Sequence, residues 1–205
     1  MTGCREVARA DVDGDRRTDD VGVVQRDRAG STGAYHVGTS TVRVRLAAGR
    51  TLLAAVPYDG WFGRTFWGAA RVDGVRGADL VLGSTAGAHA RFFRGLTYRA
   101  GRLVTLPSPD TIGDRRIPGF YVDGAVTVYA GVACGTDGHG AATLTISAAS
   151  REGDGSAPAS TFVLASASFR WDGRWVRTSQ STRAGVAERT AAAPAGFHCA
   201  GLPRF

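Results

Sequence analysis

Short runs of alternating apolar and polar residues are the feature that most constrains the fold of this chain. Clear examples lie at 41–46, 142–147 and 161–171, and turns rich in glycine and aspartate separate many such runs. This period of two is typical of β-strands with one buried face, whereas a helical period is suggested only at 186–193. We therefore expect a mainly β protein of antiparallel sheets, arranged as a sandwich or in a barrel-like form.

Two turns are predicted from their glycines. Gly49 lies between the runs 41–46 and 51–56 and supplies the positive φ that a tight hairpin needs, and Pro57 to Gly60 should close that hairpin. Asp172–Gly173 predicts a type I′ turn that brings the flanking tryptophans, Trp171 and Trp175, together across two strands.

The size and composition of the chain are those of a folded protein. It has 205 residues, of which 43% are apolar, so it is long enough for a sizeable core. A proline-rich stretch from Pro107 to Pro118 interrupts the alternating pattern. We expect an N-terminal β region at 1–106 and a C-terminal antiparallel region at 107–205, packed together as one compact unit.

The charge of the chain comes from arginine alone. All 25 basic residues are arginine and the formal net charge is +7. Basic residues bind a phosphate backbone when they cluster on one face, but these are spread along the chain. A chain without lysine is typical of a GC-rich coding background. We therefore do not expect a nucleic-acid partner.

A dense group of aspartates near the N-terminus is the clearest chemical signal. Residues 11–20 read DVDGDRRTDD, which places carboxylates at positions 1, 3, 5 and 9 of a short loop. Ca²⁺ takes about 6–8 oxygen ligands and tolerates the irregular geometry of a loop, and carboxylates this close repel one another without a cation. The predicted ligands of one structural Ca²⁺ ion are the side chains of Asp11, Asp13, Asp15 and Asp19 and the carbonyl oxygen of Arg17.

The same frame recurs sixty residues later. Asp73, Gly74 and Asp79 correspond to Asp13, Gly14 and Asp19, and a fixed period of this length is the mark of a repeat unit. At the second copy, however, arginine and valine replace the first and third carboxylates. We expect this second loop to be a structural turn that holds no metal.

The loop differs from an EF-hand, because position 6 is Arg16, position 12 is Gly22 and a strand follows instead of a helix. It resembles the calcium loop of FG-GAP/VCBS repeats, D-x-[DN]-G-D-G-x-x-D before a short apolar strand, and the tail 80–83 (LVLG) of the second copy is close to that family's pattern. The resemblance covers about the first 95 residues. It implies two degenerate FG-GAP-like units in the N-terminal half of a calcium-stabilised, extracytoplasmic bacterial envelope protein. Such a protein binds another protein or a cell-surface polymer and is not an enzyme.

No stretch approaches the roughly 20 apolar residues that span a bilayer. The first ten residues also lack the apolar core of a signal peptide. If the protein is exported, we therefore expect the given sequence to begin after its leader. Thr2, Gly3 and Cys4 resemble the end of a bacterial lipobox, which makes Cys4 a candidate lipid anchor.

Three cysteines leave one over after any single disulfide. Cys134 and Cys199 both lie in the second half near glycine-rich loops, and we expect them to pair. Cys4 is then free, lipidated or paired with either. A zinc site that adds His139 and His198 is the alternative, but adjacent residues rarely both reach one tetrahedral ion.

The aromatic cluster at 61–67 supports a rival function. Its members either fill a core or stack a ligand, and we name Trp61, Phe62 and Trp67 as candidate ligand-binding residues. The rival is an envelope hydrolase or carbohydrate-active enzyme with its site here. The chain has no serine elbow, phosphate-binding loop or dinucleotide fingerprint, so no catalytic residue is predicted. A pair of titratable groups in a pocket beside Trp61 or Trp67 would favour the enzyme.

Overall fold

A computed structural model of the chain describes residues 5–28, 33, 35–61, 64–109, 119–153 and 161–203. Nearly all of the regular structure in these ranges is β. The elements are β1 (Arg5–Ala10), β2 (Asp19–Asp27), β3 (His36–Arg45), β4 (Thr51–Gly60), β5 (Phe66–Ala70), β6 (Asp79–Ala86), β7 (Ala90–Arg99), β8 (Arg102–Leu106), β9 (Phe120–Ala125), β10 (Val128–Thr136), β11 (Ala142–Arg151), β12 (Thr161–Trp171), β13 (Trp175–Ala187), α1 (Glu188–Ala192) and β14 (Gly196–His198).

All the strands belong to one sheet. Its main path is β1-β2-β3-β4-β6-β7-β9-β10-β11-β12-β13, while β5, β8 and β14 pair with β6, β7 and β10 at its sides. The pairs β4–β6 and β10–β14 are parallel, and the others are antiparallel. The mainly β, antiparallel fold predicted from the alternating pattern is thus confirmed. The strands form one open sheet, however, and neither a separate pair of sheets nor a closed barrel.

Two hydrophobic cores show how this sheet folds over on itself. The first core joins Val21 and Val44 of β2 and β3 to Leu80 and Leu82 of β6. The second core lies on the opposite side of β6, where Val81 packs with residues that include Phe93, Phe120, Val132 and Phe197. Strand β6 is therefore buried on both faces, and β5–β8 form a central layer between β1–β4 and the C-terminal strands. Burial on both faces explains why the apolar residues Leu80, Val81 and Leu82 of β6 are consecutive and why seven of its eight residues are buried.

The sheet runs without interruption across the predicted boundary at 106–107. Strand β7 pairs with β9, with Phe93 opposite Phe120, and so hydrogen-bonds the N-terminal region to the C-terminal one. Most of the proline-rich stretch, from 110 to 118, lies outside the described residues.

The turns follow the sequence predictions in part. Gly49 has φ 90° and lies between β3 and β4 as expected, but β4 continues through Pro57 to Gly60 instead of ending there. Trp171 and Trp175 pair directly, with ring centroids 5.1 Å apart. The predicted type I′ turn is wrong, because φ is positive at Gly173 but not at Asp172, and three residues separate the paired tryptophans.

A disulfide joins Cys134 of β10 to Cys199, with their Cα atoms 4.8 Å apart. It fastens the segment that follows β14 to the strand with which β14 pairs. Because both sulfur atoms are bonded to each other, the alternative zinc site is not formed. Cys4 lies outside the described residues.

Candidate metal centre

The two aspartate loops lie in hairpins whose strands pair in the same way. In the first hairpin Ala10 pairs with Asp19, and in the second Ala70 pairs with Asp79, at an offset of sixty residues. Each hairpin also has a register shift at the corresponding place, between Glu6 and Ala8 in β1 and between Phe66 and Gly68 in β5. The sequence repeat is thus accompanied by a shared pairing pattern, while its membership of the FG-GAP/VCBS family stays a prediction.

Hydrogen bonds from the backbone hold the first loop in a tight coil. The Asp11 carboxylate accepts from the amides of Gly14 at 2.8 Å and Arg16 at 3.0 Å. Gly14 has φ 80° and Arg16 has φ 71°, a left-handed conformation that glycine adopts freely and arginine rarely. Arg16 stands where the FG-GAP/VCBS pattern has its second glycine, so the chain holds a strained residue at that position.

The coil brings three carboxylates together. One oxygen each from Asp11, Asp13 and Asp15 lies within 4.8 Å of the other two, with Asp11 and Asp13 half-buried and Asp15 exposed. Burial raises the pKa of Asp13, and the neighbouring carboxylates of Asp19, Asp15 and Asp11 raise it further, against a lowering by the Asp15 amide. Such a group repels itself and can share a divalent ion with oxygen ligands.

Asp19 has a different environment from the other three aspartates. It is fully buried, and its two oxygens accept hydrogen bonds from the amides of Val12 at 2.7 Å and Ala47 at 2.8 Å. It is not part of the group of three converging carboxylates. The Arg17 guanidinium donates to the carbonyl of Ala47 at 2.8 Å, so Asp19 and Arg17 both tie the loop to the turn between β3 and β4.

Two arginines lie at the second loop, one in place of an aspartate of the first loop and one from strand β7. Arg71, which corresponds to Asp11, donates to the carbonyl of Gly74 at 2.9 Å. The guanidinium of Arg99 forms an ion pair with the buried carboxylate of Asp73. This loop therefore carries its own positive charge.

Asp79, the counterpart of Asp19, is buried beneath the second loop. It accepts from the amides of Val72 at 2.8 Å and Asp73 at 3.2 Å. Burial, followed by the charge of Asp73, raises the pKa of Asp79 to about 6, although a hydrogen bond from Thr97 opposes this. The same buried position thus accepts two backbone amides in each hairpin, through both oxygens of Asp19 and through one oxygen of Asp79.

The predicted aromatic cluster is divided between separate environments. Trp67 is half-buried, with its ring 5.2 Å from that of Phe93 and the Arg91 guanidinium 5.2 Å above it. Trp61 is 52% exposed and meets Tyr35 edge-on at 5.8 Å. Phe62 lies outside the described residues.

A cavity of about 450 Å³ lies beside Trp67. Among its described lining residues, Arg9 and Arg64 are charged and none carries a carboxylate or an imidazole. This cavity therefore lacks the pair of titratable groups that the rival enzyme requires there.

Sequence analysis did not predict two clusters that each centre on an aspartate. The Tyr58 hydroxyl donates to Asp27 at 2.6 Å and His36 Nδ1 lies 3.0 Å from the same carboxylate, with the pKa of Tyr58 raised to about 12 by burial and by Asp27.

In the second cluster, Tyr121 donates to Asp123, whose other oxygen lies 2.9 Å from His89 Nδ1. The aspartates are 31 and 34 residues from Tyr58 and His89 respectively. No local sequence signal could have indicated these two contacts, whereas Tyr121 is only two residues from Asp123.

Comparison of the chain with family models, curated proteins and solved structures gives no match. Within the described part of the chain, no helix has the length and apolar character needed to cross a membrane.

Proposed function

We propose that this chain is a calcium-stabilised, non-enzymatic binding or structural protein of the bacterial cell envelope. In this proposal one Ca²⁺ ion occupies the first loop, held by the carboxylates of Asp11, Asp13 and Asp15 together with carbonyl oxygens such as that of Arg17. Asp19 supports the loop from below through its hydrogen bonds to Val12 and Ala47.

The contrast in charge between the two loops carries this proposal. Arg71 and Arg99 bring cations to the second loop, which has lost two of its acidic positions. In the first loop, three carboxylates converge within 4.8 Å, and the contact of the Arg17 guanidinium is to a carbonyl oxygen of the neighbouring turn. A bound divalent cation would give the first loop the compensation that arginine gives the second.

The disulfide supports the extracytoplasmic part of the proposal. Such bonds persist in oxidising compartments and are rare in the cytosol, and this one joins Cys134 to Cys199. The partner in this proposal is another protein or a surface polymer, in keeping with the resemblance to FG-GAP/VCBS repeats.

A crystal grown with calcium tests the metal site directly. We expect anomalous density between Asp11, Asp13 and Asp15, with metal–oxygen distances of about 2.3–2.6 Å. Equivalent density between Asp73 and Asp79 is not expected, so the second loop serves as an internal control. A first loop without an ion in such crystals would contradict the proposal.

A further inference from the structure

A cavity of about 240 Å³ opens where β3, β4, β6 and β7 meet. We call it the Arg94 pocket, and the lining residues that matter here are Arg28, Asp59, Thr85 and Arg94. The ladder explains why these side chains meet, since Asp59 pairs with Thr85 and Thr85 with Phe92, two residues before Arg94. Paired residues of neighbouring strands project to the same face of a sheet.

Arg94 is unusual among the residues of this pocket. Its Nε atom is buried and has no hydrogen-bond acceptor within the described parts of the chain. A buried donor without a partner is costly, and the cost is greater for a charged group. Arg28 brings a second guanidinium to the same cavity. Guanidinium groups favour planar carboxylate and phosphate partners, so a cavity lined by two of them favours an anionic ligand.

Asp59 restricts the kind of anion that fits. Its exposed carboxylate lies in the pocket with the two arginines and would repel a small inorganic anion. A ligand with hydroxyl groups can donate to Asp59 and accept from Thr85, while a single carboxylate meets Arg94. The pocket therefore favours a molecule that combines one acidic group with several hydroxyls.

Two aromatic residues are neighbours of this polar set along the strands. The exposed Trp61 follows Asp59 by two residues and meets Tyr35 edge-on. Phe92 pairs with Thr85 in the ladder and stacks on Tyr121 with ring centroids 4.9 Å apart. Flat aromatic faces beside hydroxyl-binding groups suit the C–H faces of a sugar ring. The volume of about 240 Å³ lies below the usual range of ligand cavities, about 300–1,000 Å³, and suits a single ring.

We propose that the Arg94 pocket binds an acidic sugar unit, with its carboxylate on Arg94 and Arg28, its hydroxyls on Asp59 and Thr85, and its ring beside Trp61. The site uses none of the calcium-loop residues and involves no covalent step. It goes beyond the proposed function by giving the surface polymer a chemical class, a uronate-containing polysaccharide.

NMR titration with paired monosaccharides tests this directly. Glucuronate and galacturonate differ from glucose and galactose in carrying a carboxylate at C6. We expect the two uronates to bind at least about tenfold more tightly than the parent sugars. A single pair of charge-assisted hydrogen bonds can supply the difference in binding free energy that a tenfold change requires. We also expect the Arg94 Nε–H resonance, identified by its loss in Arg94→Gln, to shift on binding. The controls are inorganic sulfate and triglutamate, which supply an anion without the sugar.

Three variants complete the test. Arg94→Gln should weaken uronate binding by roughly thirtyfold or more and leave the melting temperature nearly unchanged, because glutamine keeps an N–H donor near the position of Nε and loses only the charged group. The matched control Arg183→Gln removes an exposed arginine of β13 and should bind as the wild type does. Trp61→Ala removes a half-exposed ring and should weaken binding without loss of folding.

Several results would overturn this proposal. They are uronates binding no better than the parent sugars, sulfate or triglutamate binding as tightly as the uronates, and Arg94→Gln binding as tightly as the wild type. A large loss of stability in Arg94→Gln with no loss of binding would assign Arg94 to the structure alone.

Discussion

The amide of Ala78 donates a hydrogen bond of 2.7 Å to the carbonyl of Asp11, and so joins the two aspartate loops. The backbones also meet at Gly77, where a Cβ atom would lie 2.6 Å from the carbonyl oxygen of Val12. Whatever orders the first loop therefore also supports the contact between the outer strands β1–β4 and the central layer. This coupling is why we expect an ion in one short loop to affect the stability of the whole sheet.

The buried aspartates of the two hairpins should respond oppositely to replacement by asparagine. Each oxygen of Asp19 accepts a hydrogen bond from a backbone N–H group. In Asp19→Asn one of these oxygens becomes an NH₂ group, so one buried backbone N–H loses its acceptor. This loss should lower the free energy of unfolding by about 1–3 kcal/mol. In Asp79→Asn, the remaining oxygen can still accept from Val72 and Asp73 and the new NH₂ can face Thr97. Urea unfolding at pH 7 should therefore show Asp79→Asn to be at least as stable as the wild type. Equal losses in both variants would contradict this difference.

Asp79 should also make the protein less stable as the pH rises. Its pKa is raised from 3.8 to about 6 in the folded state, chiefly by burial, so the folded state binds the proton more tightly than the unfolded chain does. Its stabilising contribution is complete below about pH 4 and is lost as the pH rises to about 6. The loss is about 2–3 kcal/mol.

The difference in unfolding free energy between the wild type and Asp79→Asn isolates the contribution of Asp79. Carboxyls whose pKa is lowered, such as Asp137, are present in both proteins, so their effects cancel. That difference should change across this pH window. A difference that stays constant from pH 4 to pH 7 would show that Asp79 titrates normally.

The left-handed Arg16 should be improved by glycine. Its φ of 71° is unfavourable for a residue with a Cβ atom, so Arg16→Gly should raise the free energy of unfolding by about 1 kcal/mol. Arg76 occupies the corresponding place in the second loop and has no positive φ. Arg76→Gly is therefore the matched control and should lower stability. A gain of equal size in both variants would point to a general loss of positive charge as the cause.

The disulfide should make a large contribution to stability. Cys134 and Cys199 are 65 residues apart, and a bond across a loop of this size stabilises by about 2–5 kcal/mol, mainly through the unfolded chain. Denaturant unfolding of Cys134→Ser/Cys199→Ser, in a Cys4→Ser background that prevents exchange, should show this loss. Unchanged unfolding would mean that β14 is held against β10 without the bond.

Many local features of this chain are predictable from sequence, although the predicted type I′ turn at Asp172–Gly173 is wrong. Most long-range contacts are not predictable in this way. The aspartate spacing and the shared frame of Asp13 and Asp73 predict two similar loops because a loop's conformation depends on adjacent residues. The partners of the buried aspartates come from far along the chain, with Ala47 28 residues from Asp19 and Arg99 26 residues from Asp73. Spacing therefore suggests Asp19 as a metal ligand, although its two oxygens accept backbone amides.

The arrangement of the strands also depends on distant contacts. Alternation predicts strands but not their order, and the parallel pairing of β4 with β6, which places β5 at the side of the sheet, has no local signal. The Arg94 pocket forms at that junction. Its residues could not be brought together from sequence for the same reason.

Thermal unfolding with calcium and with chelator is the most direct test of the central claim, that the first loop holds a stabilising divalent ion. Calcium at about 100-fold above its dissociation constant should add about 2.7 kcal/mol. Asp13→Asn/Asp15→Asn retains the side-chain oxygens that accept the amides of Asp15 and Arg17 but removes two charges, and it should abolish the gain. Asp137→Asn changes a carboxylate that caps an unrelated turn and should preserve it. Identical melting curves with and without calcium in the wild type, or a calcium gain that survives in the double variant, would contradict the account.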